Sequence, residues 1–215
     1  AVSLTAGQTA TLRWTISNGS CASSSDEVVI TNYGLPTTAN AGSDISQCNT
    51  SSFTMAANVP SVGTGSWSVV SGSATIATAN SPTTAVSLTA GQTATLRWTI
   101  SNGTCSSADD VVITNYIQPT TPTIKSIVQS TCTVLTGTIV FVEQNNVEYS
   151  INNTDWQSSN TFNNVQPGNY TLYVRNKSNV SCITNSTDII KINNAICAVD
   201  DNFGPINGNA GGTTQ

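Results

Sequence analysis

The residues of this chain best suited to covalent chemistry are its six cysteines: Cys21, Cys48, Cys105, Cys132, Cys182 and Cys197. No two of them form a Cys-x-x-Cys pair, so their spacing does not favour a zinc centre or a thioredoxin-like redox site. Wide spacing in a chain rich in Thr, Ser and Asn is typical of structural disulfides made in an oxidising compartment. The cysteines therefore predict cross-links rather than catalysis.

Groups for acid–base or nucleophilic catalysis are scarce. Histidine, the usual general base and the commonest metal ligand, is absent. Glycoside hydrolysis needs two carboxylates across a cleft, and Glu143, Glu148 and Asp155 lie in one module too small to favour such a cleft. No G-x-S-x-G elbow accompanies a serine. We expect that the chain is not an enzyme.

Three pairs of adjacent acids are candidates for binding Ca²⁺, which takes six to eight oxygens. The first two are Asp26–Glu27 and Asp109–Asp110, and the latter lies at the expected start of a strand, where a solvated acidic pair is ordinary. Asp200 and Asp201 lie beside a module boundary and Asn-rich turns, which makes them the better, though weak, calcium candidates. No Asp-x-Asp-x-Asp-Gly loop supports any pair, and no other cofactor is expected.

Composition sets the classes of fold and partner. Only 8% of the residues are charged and the net charge is −5, which argues against nucleic acid, whose binding needs clustered Lys and Arg. No apolar run approaches the length of a membrane span, so none is expected. The abundant Thr, Val, Asn, Gly and Ser favour strands and turns.

An internal repeat determines the predicted domain organisation. Residues 1–19 recur unchanged at 85–103, 84 positions later, and the similarity continues loosely from 21–33 into 105–116 with one residue deleted. Residues 36–116 are therefore a complete repeat, and residues 1–33 are the back half of a preceding copy. A period near 80 residues is typical of tandem sandwiches.

Hydrophobic alternation within the repeat predicts half-buried strands. Leu96, Trp98 and Ile100 share one face, whereas Arg97 points the other way. Arg13 takes the same outward position in the first copy. No stretch has the period of a long helix, so we predict an all-β chain of tandem immunoglobulin-like, PKD-like β-sandwich modules.

The remaining chain is divided by proline-containing junctions, which are expected to be short and stiff. Residues 119–193 have their own alternating runs and form a second, different β-sandwich. Residues 197–215 change character again and are the start of a further module.

Several motifs resemble repeats of known surface proteins. TANAGSDISQC (38–48), GTGSWSVVSG (63–72) and LTAGQTATLRWTISNGTC (88–105) resemble the PKD-like immunoglobulin-fold repeats of Bacteroidetes surface proteins. QSTC (129–132), YSINNTDWQSSNTF (149–162) and VQPGNYTLYV (165–174) look like the SprB repeat. The combination is similar to the SprB-type gliding-motility adhesins of gliding flavobacteria.

This resemblance implies a non-catalytic repeat segment of a large cell-surface adhesin, exported by type IX secretion and acting as a stalk or adhesive array in attachment and gliding. The implied partners are a surface polysaccharide or substratum, neighbouring modules of the same protein, and the secretion or gliding machinery. No catalytic or ligand-binding residues accompany these repeats.

The alternative is a carbohydrate-binding accessory module of a secreted enzyme. Its mark would be a row of exposed aromatic side chains on one sheet face. Tyr173 and Trp156 are the candidates, although a partly buried tryptophan that pins a loop is the commoner arrangement.

The cysteine pairing is left with two alternatives. Each complete module holds two cysteines, which favours Cys48–Cys105 and Cys132–Cys182. Against this, the first and last turns of an immunoglobulin sandwich lie at opposite ends, too far apart for a bridge. The alternative is a bond across the junction, with Cys48 reaching the next module. Cys21 should find its partner before residue 1, and Cys197 is also expected to lack one.

The half-repeat at residues 1–33 should expose apolar side chains. Without the first half of its sandwich, Leu12, Trp14 and Ile16 are expected to form a sticky edge. We therefore expect this segment to be ordered only where other strands cover it.

Overall fold

The computed structural model describes residues 1–197. The regular secondary structure within these residues consists of β-strands alone. The prediction of an all-β chain is confirmed. The strands are β1 (Gln8–Ile16), β2 (Ser24–Asn32), β3 (Ile45–Cys48), β4 (Phe53–Thr54), β5 (Thr64–Ser71), β6 (Ala74–Ile76), β7 (Ala85–Leu88), β8 (Gln92–Asn102), β9 (Cys105–Tyr116), β10 (Ile124–Val128), β11 (Gly137–Phe141), β12 (Val147–Ser150), β13 (Thr161–Val165), β14 (Gly168–Asn176) and β15 (Ile183–Ile192).

The chain divides into two compact units. The first comprises Ala1–Gln118 together with Ser178–Cys182, a short segment that lies between β14 and β15 along the chain. The second comprises Pro119–Lys177 and, within the described chain, residues 183–197.

Residues 36–116 of the first unit form an immunoglobulin-like sandwich. One sheet has the order β3-β9-β8-β5, with β3 parallel to β9, and the other has the order β4-β7-β6. The alternation in β8 is realised as predicted, because Leu96, Trp98 and Ile100 are fully buried while Arg97 is exposed. Trp98 is paired in register with Trp67 of β5, and their ring centroids are 5.2 Å apart.

The half-repeat forms a separate two-stranded sheet, β1-β2. Its local interactions repeat those of β8 and β9. Thr9 and Thr31 hydrogen bond across the strands at 3.1 Å, and Thr93 and Thr114 do so at 3.2 Å. Residues 8–16 and their identical counterparts 92–100 therefore form a strand in both copies, whereas residues 1–4 form no strand although the identical residues 85–88 form β7.

The second unit is also a sandwich, with sheets β10-β11-β13 and β12-β14-β15. Its core includes Phe141 and Tyr149, whose rings meet edge to face at 5.2 Å, and the buried stripe of β14, Leu172 and Val174. The Tyr149 hydroxyl accepts a hydrogen bond from the Gln144 backbone N–H at 2.7 Å, so the buried phenol keeps a polar partner.

Two predictions fall on residues outside the described part of the chain. These are the further module at 197–215, of which only Cys197 is described, and the calcium candidates Asp200 and Asp201.

Candidate functional site

The covalent cross-links are the chemically distinctive feature of the described chain. Cys48 is bonded to Cys182, with a Cα–Cα distance of 5.6 Å, and both residues belong to the first compact unit. Cys132 is bonded to Cys197 within the second unit, with a Cα–Cα distance of 5.4 Å. The favoured pairing of Cys48 with Cys105 and of Cys132 with Cys182 is therefore wrong, as is the expectation that Cys197 lacks a partner.

Strand geometry explains why Cys48 cannot reach Cys105. Cys48 ends β3 and lies beside Tyr116, the last residue of β9, in parallel register. Cys105 is the first residue of β9. Eleven residues of extended strand span about 36 Å, whereas a disulfide needs Cα atoms within about 7 Å. The expectation that the first and last turns of an immunoglobulin sandwich lie at opposite ends was the argument from sequence for the second alternative.

Cys21 and Cys105 are free in the structure, the first exposed and the second half-buried. They occupy equivalent places in the two copies, each in the hairpin between the two strands of the repeat. Cys21 donates its backbone N–H to the Asn18 carbonyl at 3.0 Å, and Asn102 faces Cys105 in the strand register. Both cysteines thus follow directly on a tight turn.

The acidic pair Asp109–Asp110 lies inside β9 rather than at its start, and each of its two carboxylates has a partner of its own. Neighbouring strand residues point to opposite faces, so Asp109 Oδ2 accepts from the Ala41 N–H at 2.8 Å while Asp110 binds the Arg97 guanidinium through Nε at 2.7 Å. That hydrogen bond lowers the pKa of Asp110 and raises the pKa of Arg97. The two carboxylates therefore do not converge on a common cation.

The first copy contains the equivalent ion pair. Arg13 Nε donates to Glu27 Oε1 at 2.7 Å, and the Arg13 Nη2 atom contacts the same oxygen. Among residues 1–197, no three His, Cys, Asp or Glu side chains cluster as ligands for a metal ion.

The two outward aromatic candidates lie in the second unit and are both half-buried. The Arg175 guanidinium carbon lies 4.3 Å from the centre of the Trp156 ring, and Arg175 is also paired with Glu148 through Nε at 2.8 Å. One face of Trp156 is therefore already covered by a cation held in place by a carboxylate. Tyr173 is paired in the sheet with Ser150 and Asn185.

A shallow cleft of about 250 Å³ lies beside Trp156 and is also lined by Asn152 and Asp155. Asp155 Oδ2 accepts from Asn152 Nδ2 at 2.6 Å, and the Asn152 amide oxygen accepts the Asp155 N–H at 2.9 Å. The polar groups at this cleft thus bind one another and shape the loop.

The hairpin β1-β2 exposes the apolar face that its counterpart buries. Trp14 is 73% exposed and Ile16 is 62% exposed, whereas the equivalent Trp98 and Ile100 are 0% exposed. The expected sticky edge is present at Trp14 and Ile16, while Leu12 is half-buried. Large exposed apolar patches of this kind mark surfaces that another element covers.

Neither the protein-family models nor the curated proteins contain a match to this chain. Similar solved structures include extracellular domains 3–5 of Drosophila OTK, at 8% identity and a TM-score of 0.47, covering 85% of this chain and 70% of that chain. Titin domains Z1Z2 in complex with telethonin match at 11% identity and a TM-score of 0.34, covering 74% of this chain and 96% of that chain. Chicken CNTN1 domains FN1–FN3 match at 13% identity and a TM-score of 0.30, covering 77% and 68%.

These identities and scores are too low to carry an argument about function, and the immunoglobulin-like assignment rests on the strand topology described above. Two disulfides are typical of a protein that folds in an oxidising compartment, as extracellular and secreted proteins do. The described residues contain no helix long and apolar enough to cross a bilayer.

Proposed function

We propose that the chain is a non-catalytic repeat segment of a large cell-surface adhesin, which acts as a stalk or adhesive array in surface attachment and gliding motility. The observation that carries the proposal is the repeat itself. Nineteen identical residues recur 84 positions apart, and within them residues 8–16 and 92–100 form equivalent strands in two successive copies. A segment that multiplies one module adds length and mechanical continuity.

Cross-links support a load-bearing role. The Cys48–Cys182 bond spans 134 positions of the chain, so it ties together residues that are remote in sequence. A disulfide does not stretch apart when strands are pulled, and it limits the length of chain that can be released if a sandwich unfolds. Such bonds suit a protein held between a moving cell and a surface.

Surface labelling tests the proposal. Antibodies to the 215-residue chain should label intact cells of the source organism, and their Fab fragments should reduce attachment of those cells to glass. Fab fragments against an unrelated surface protein are the control. Labelling that requires permeabilised cells, or attachment unchanged by saturating Fab, contradicts the adhesin.

A glycan array separates the adhesin from the carbohydrate-binding alternative, whose candidate residue is Trp156. If the chain binds one soluble glycan and Trp156→Ala removes that binding while the fold is retained, the accessory-module interpretation replaces the stalk. Release of reducing ends from the polysaccharide by the chain alone would contradict the non-catalytic assignment.

A further inference from the structure

We propose that Cys105 forms an inter-repeat disulfide with the opening-strand cysteine of the repeat that precedes it, the residue equivalent to Cys48. The inference rests on the tandem repetition in the proposed function but not on adhesion, so it survives if the attachment experiment fails. It assigns a covalent partner to a half-buried thiol that is free in the structure.

The observed bond of Cys48 supplies the pattern. Cys48 is the last residue of β3, the first strand of its repeat, and Cys182 directly precedes β15, the last strand of the next module along the chain. Cys105 has the same position as Cys182, because it follows the hairpin from β8 and begins β9, the last strand of its own module. The equivalent bond therefore joins Cys105 to the opening strand of the preceding repeat.

The preceding copy has room for that opening strand. In the complete repeat, β3 pairs in parallel with the end of β9, which places Cys48 beside Tyr116. In the first copy, Tyr33 is the counterpart of Tyr116, and β2 pairs only with β1 in its sheet. A strand that adds to β2 in the same register brings its cysteine beside Tyr33.

Tyr33 lies against the hairpin that carries Cys105. A Cβ atom built on Gly103, two residues before Cys105, would fall on the Tyr33 ring. Asn102 Nδ2 also donates to the Gly34 carbonyl at 2.8 Å. Gly103 has φ +61°, a conformation that glycine adopts without strain. The end of one repeat and the hairpin that carries Cys105 therefore meet at this turn.

The bond forms by thiol–disulfide exchange with a disulfide oxidant. One cysteine thiolate attacks the oxidant's disulfide and releases one thiol, and the second thiolate then displaces the other thiol from the mixed disulfide. Two protons and two electrons pass from the two cysteines to the oxidant, which leaves as two thiols.

An extended chain tests the proposal directly. A copy of residues 36–84 is placed before Ala1, so that the copied Thr84 is followed by Ala1 as Thr84 is followed by Ala85. After refolding with oxidised glutathione, cleavage after Arg, Lys, Asp and Glu puts every cysteine in a different peptide. The expected result is a peptide that links the added Cys48 copy to Cys105, with Cys21 as the single free thiol.

Matched controls use the same digest. Replacing the added cysteine by Ser should leave Cys21 and Cys105 free, and the peptide that links Cys48 to Cys182 shows that the native bonds formed. A link from the added cysteine to Cys21, or a free Cys105 in a refolded chain that contains the Cys48–Cys182 bond, overturns the proposal.

The protein recovered from its source cells provides a measurement that does not depend on refolding. Free thiols are blocked with iodoacetamide before the surface protein is released and digested. The peptide from Trp98 to Asp109 should appear only after reduction. If it appears alkylated without reduction, Cys105 is free on the cell and the proposal is wrong.

Discussion

Gly65 is the glycine of the first sandwich at which an added side chain would meet its neighbours most closely. A Cβ atom at this residue of β5 would overlap the indole ring of Trp98, which is fully buried. The φ of Gly65 is not in the left-handed region that favours glycine, so the restriction is one of space alone. A glycine in the middle of a strand here makes room for the largest side chain of the core.

The substitution Gly65→Ala should lower the free energy of unfolding by about 1–3 kcal/mol, because the added methyl group forces Trp98 or the backbone to shift. Urea denaturation followed by tryptophan fluorescence measures the change. Ser66→Ala on the exposed face of the same strand is the control and should stay within about 0.5 kcal/mol of the parent chain. Equal stability of the two variants would mean that the Trp98 side chain can shift to make room for the added methyl group without loss of stability.

The ion pairs behave as surface features. Arg97 and Asp110 have side chains that are 46% and 38% exposed, so solvent and salt screen their attraction. Because the pKa of Asp110 is lowered in the folded state, its contribution is present above the unfolded pKa of an aspartate and is lost as the pH falls through the folded value. The pair thus favours the correct register between β8 and β9 more than it stabilises the fold.

At the scale of the element, the two copies of the repeated strand have the same sequence but differ in burial. β1 has the sequence of residues 92–100 of β8 and pairs with β2 in the register that β8 keeps with β9, so this hairpin forms with or without the rest of the sandwich. Residues 1–4 form no strand, whereas the identical residues 85–88 form β7, so that strand depends on its neighbours in the sheet. Burial follows from neighbours. β8 is covered by β5 and the opposing sheet, whereas β1 pairs only with β2.

This pair of strands allows a matched comparison. Trp98→Ala should cost about 3–5 kcal/mol of the free energy of unfolding, since it empties a closed core. Trp14→Ala, in an identical stretch of sequence, should change it by less than about 0.5 kcal/mol because its side chain is already in water. Chemical denaturation of each single variant measures both effects. Similar losses would show that Trp14 is covered in solution, for instance by a second copy of the chain.

At the scale of the whole molecule, the disulfides connect residues that are distant along the chain. The Cys48–Cys182 bond closes 134 positions and the Cys132–Cys197 bond closes 65. In the chain-entropy account such loops restrict the unfolded state by about 5 and about 4 kcal/mol respectively. Small sandwiches with few charges benefit from this contribution, because their cores alone are modest.

Replacing Cys48 and Cys182 together by Ser should lower the free energy of unfolding of the first unit by about 2–5 kcal/mol. Scanning calorimetry of the oxidised proteins gives the change as a lower unfolding temperature. Cys21→Ser removes an exposed free thiol and should leave that temperature unaltered. An unchanged unfolding temperature in the double variant would show that the bond does not reduce the conformational freedom of the unfolded chain enough to affect stability.

The sequence by itself determined the class of fold and the inward and outward faces of β8. Alternation in β8 placed Trp98 inward and Arg97 outward. The repetition of the same residues 84 positions earlier predicted a strand with the same pattern there, which is β1. These features are local: a strand turns successive side chains to opposite faces whatever lies around it. Equivalent residues in the two copies could therefore be matched without coordinates.

Only the tertiary structure decided which cysteines are bonded and whether the apolar side chains of the half-repeat are buried. A disulfide depends on which chain ends meet in space, and the end of β3 lies beside Tyr116, far from Cys105 at the start of β9. Counting two cysteines per module predicted the wrong pairs because spacing in sequence does not report that distance. Likewise, Trp14 and Trp98 have identical neighbours in sequence and opposite exposure, because burial is a property of the strands that pack against a residue.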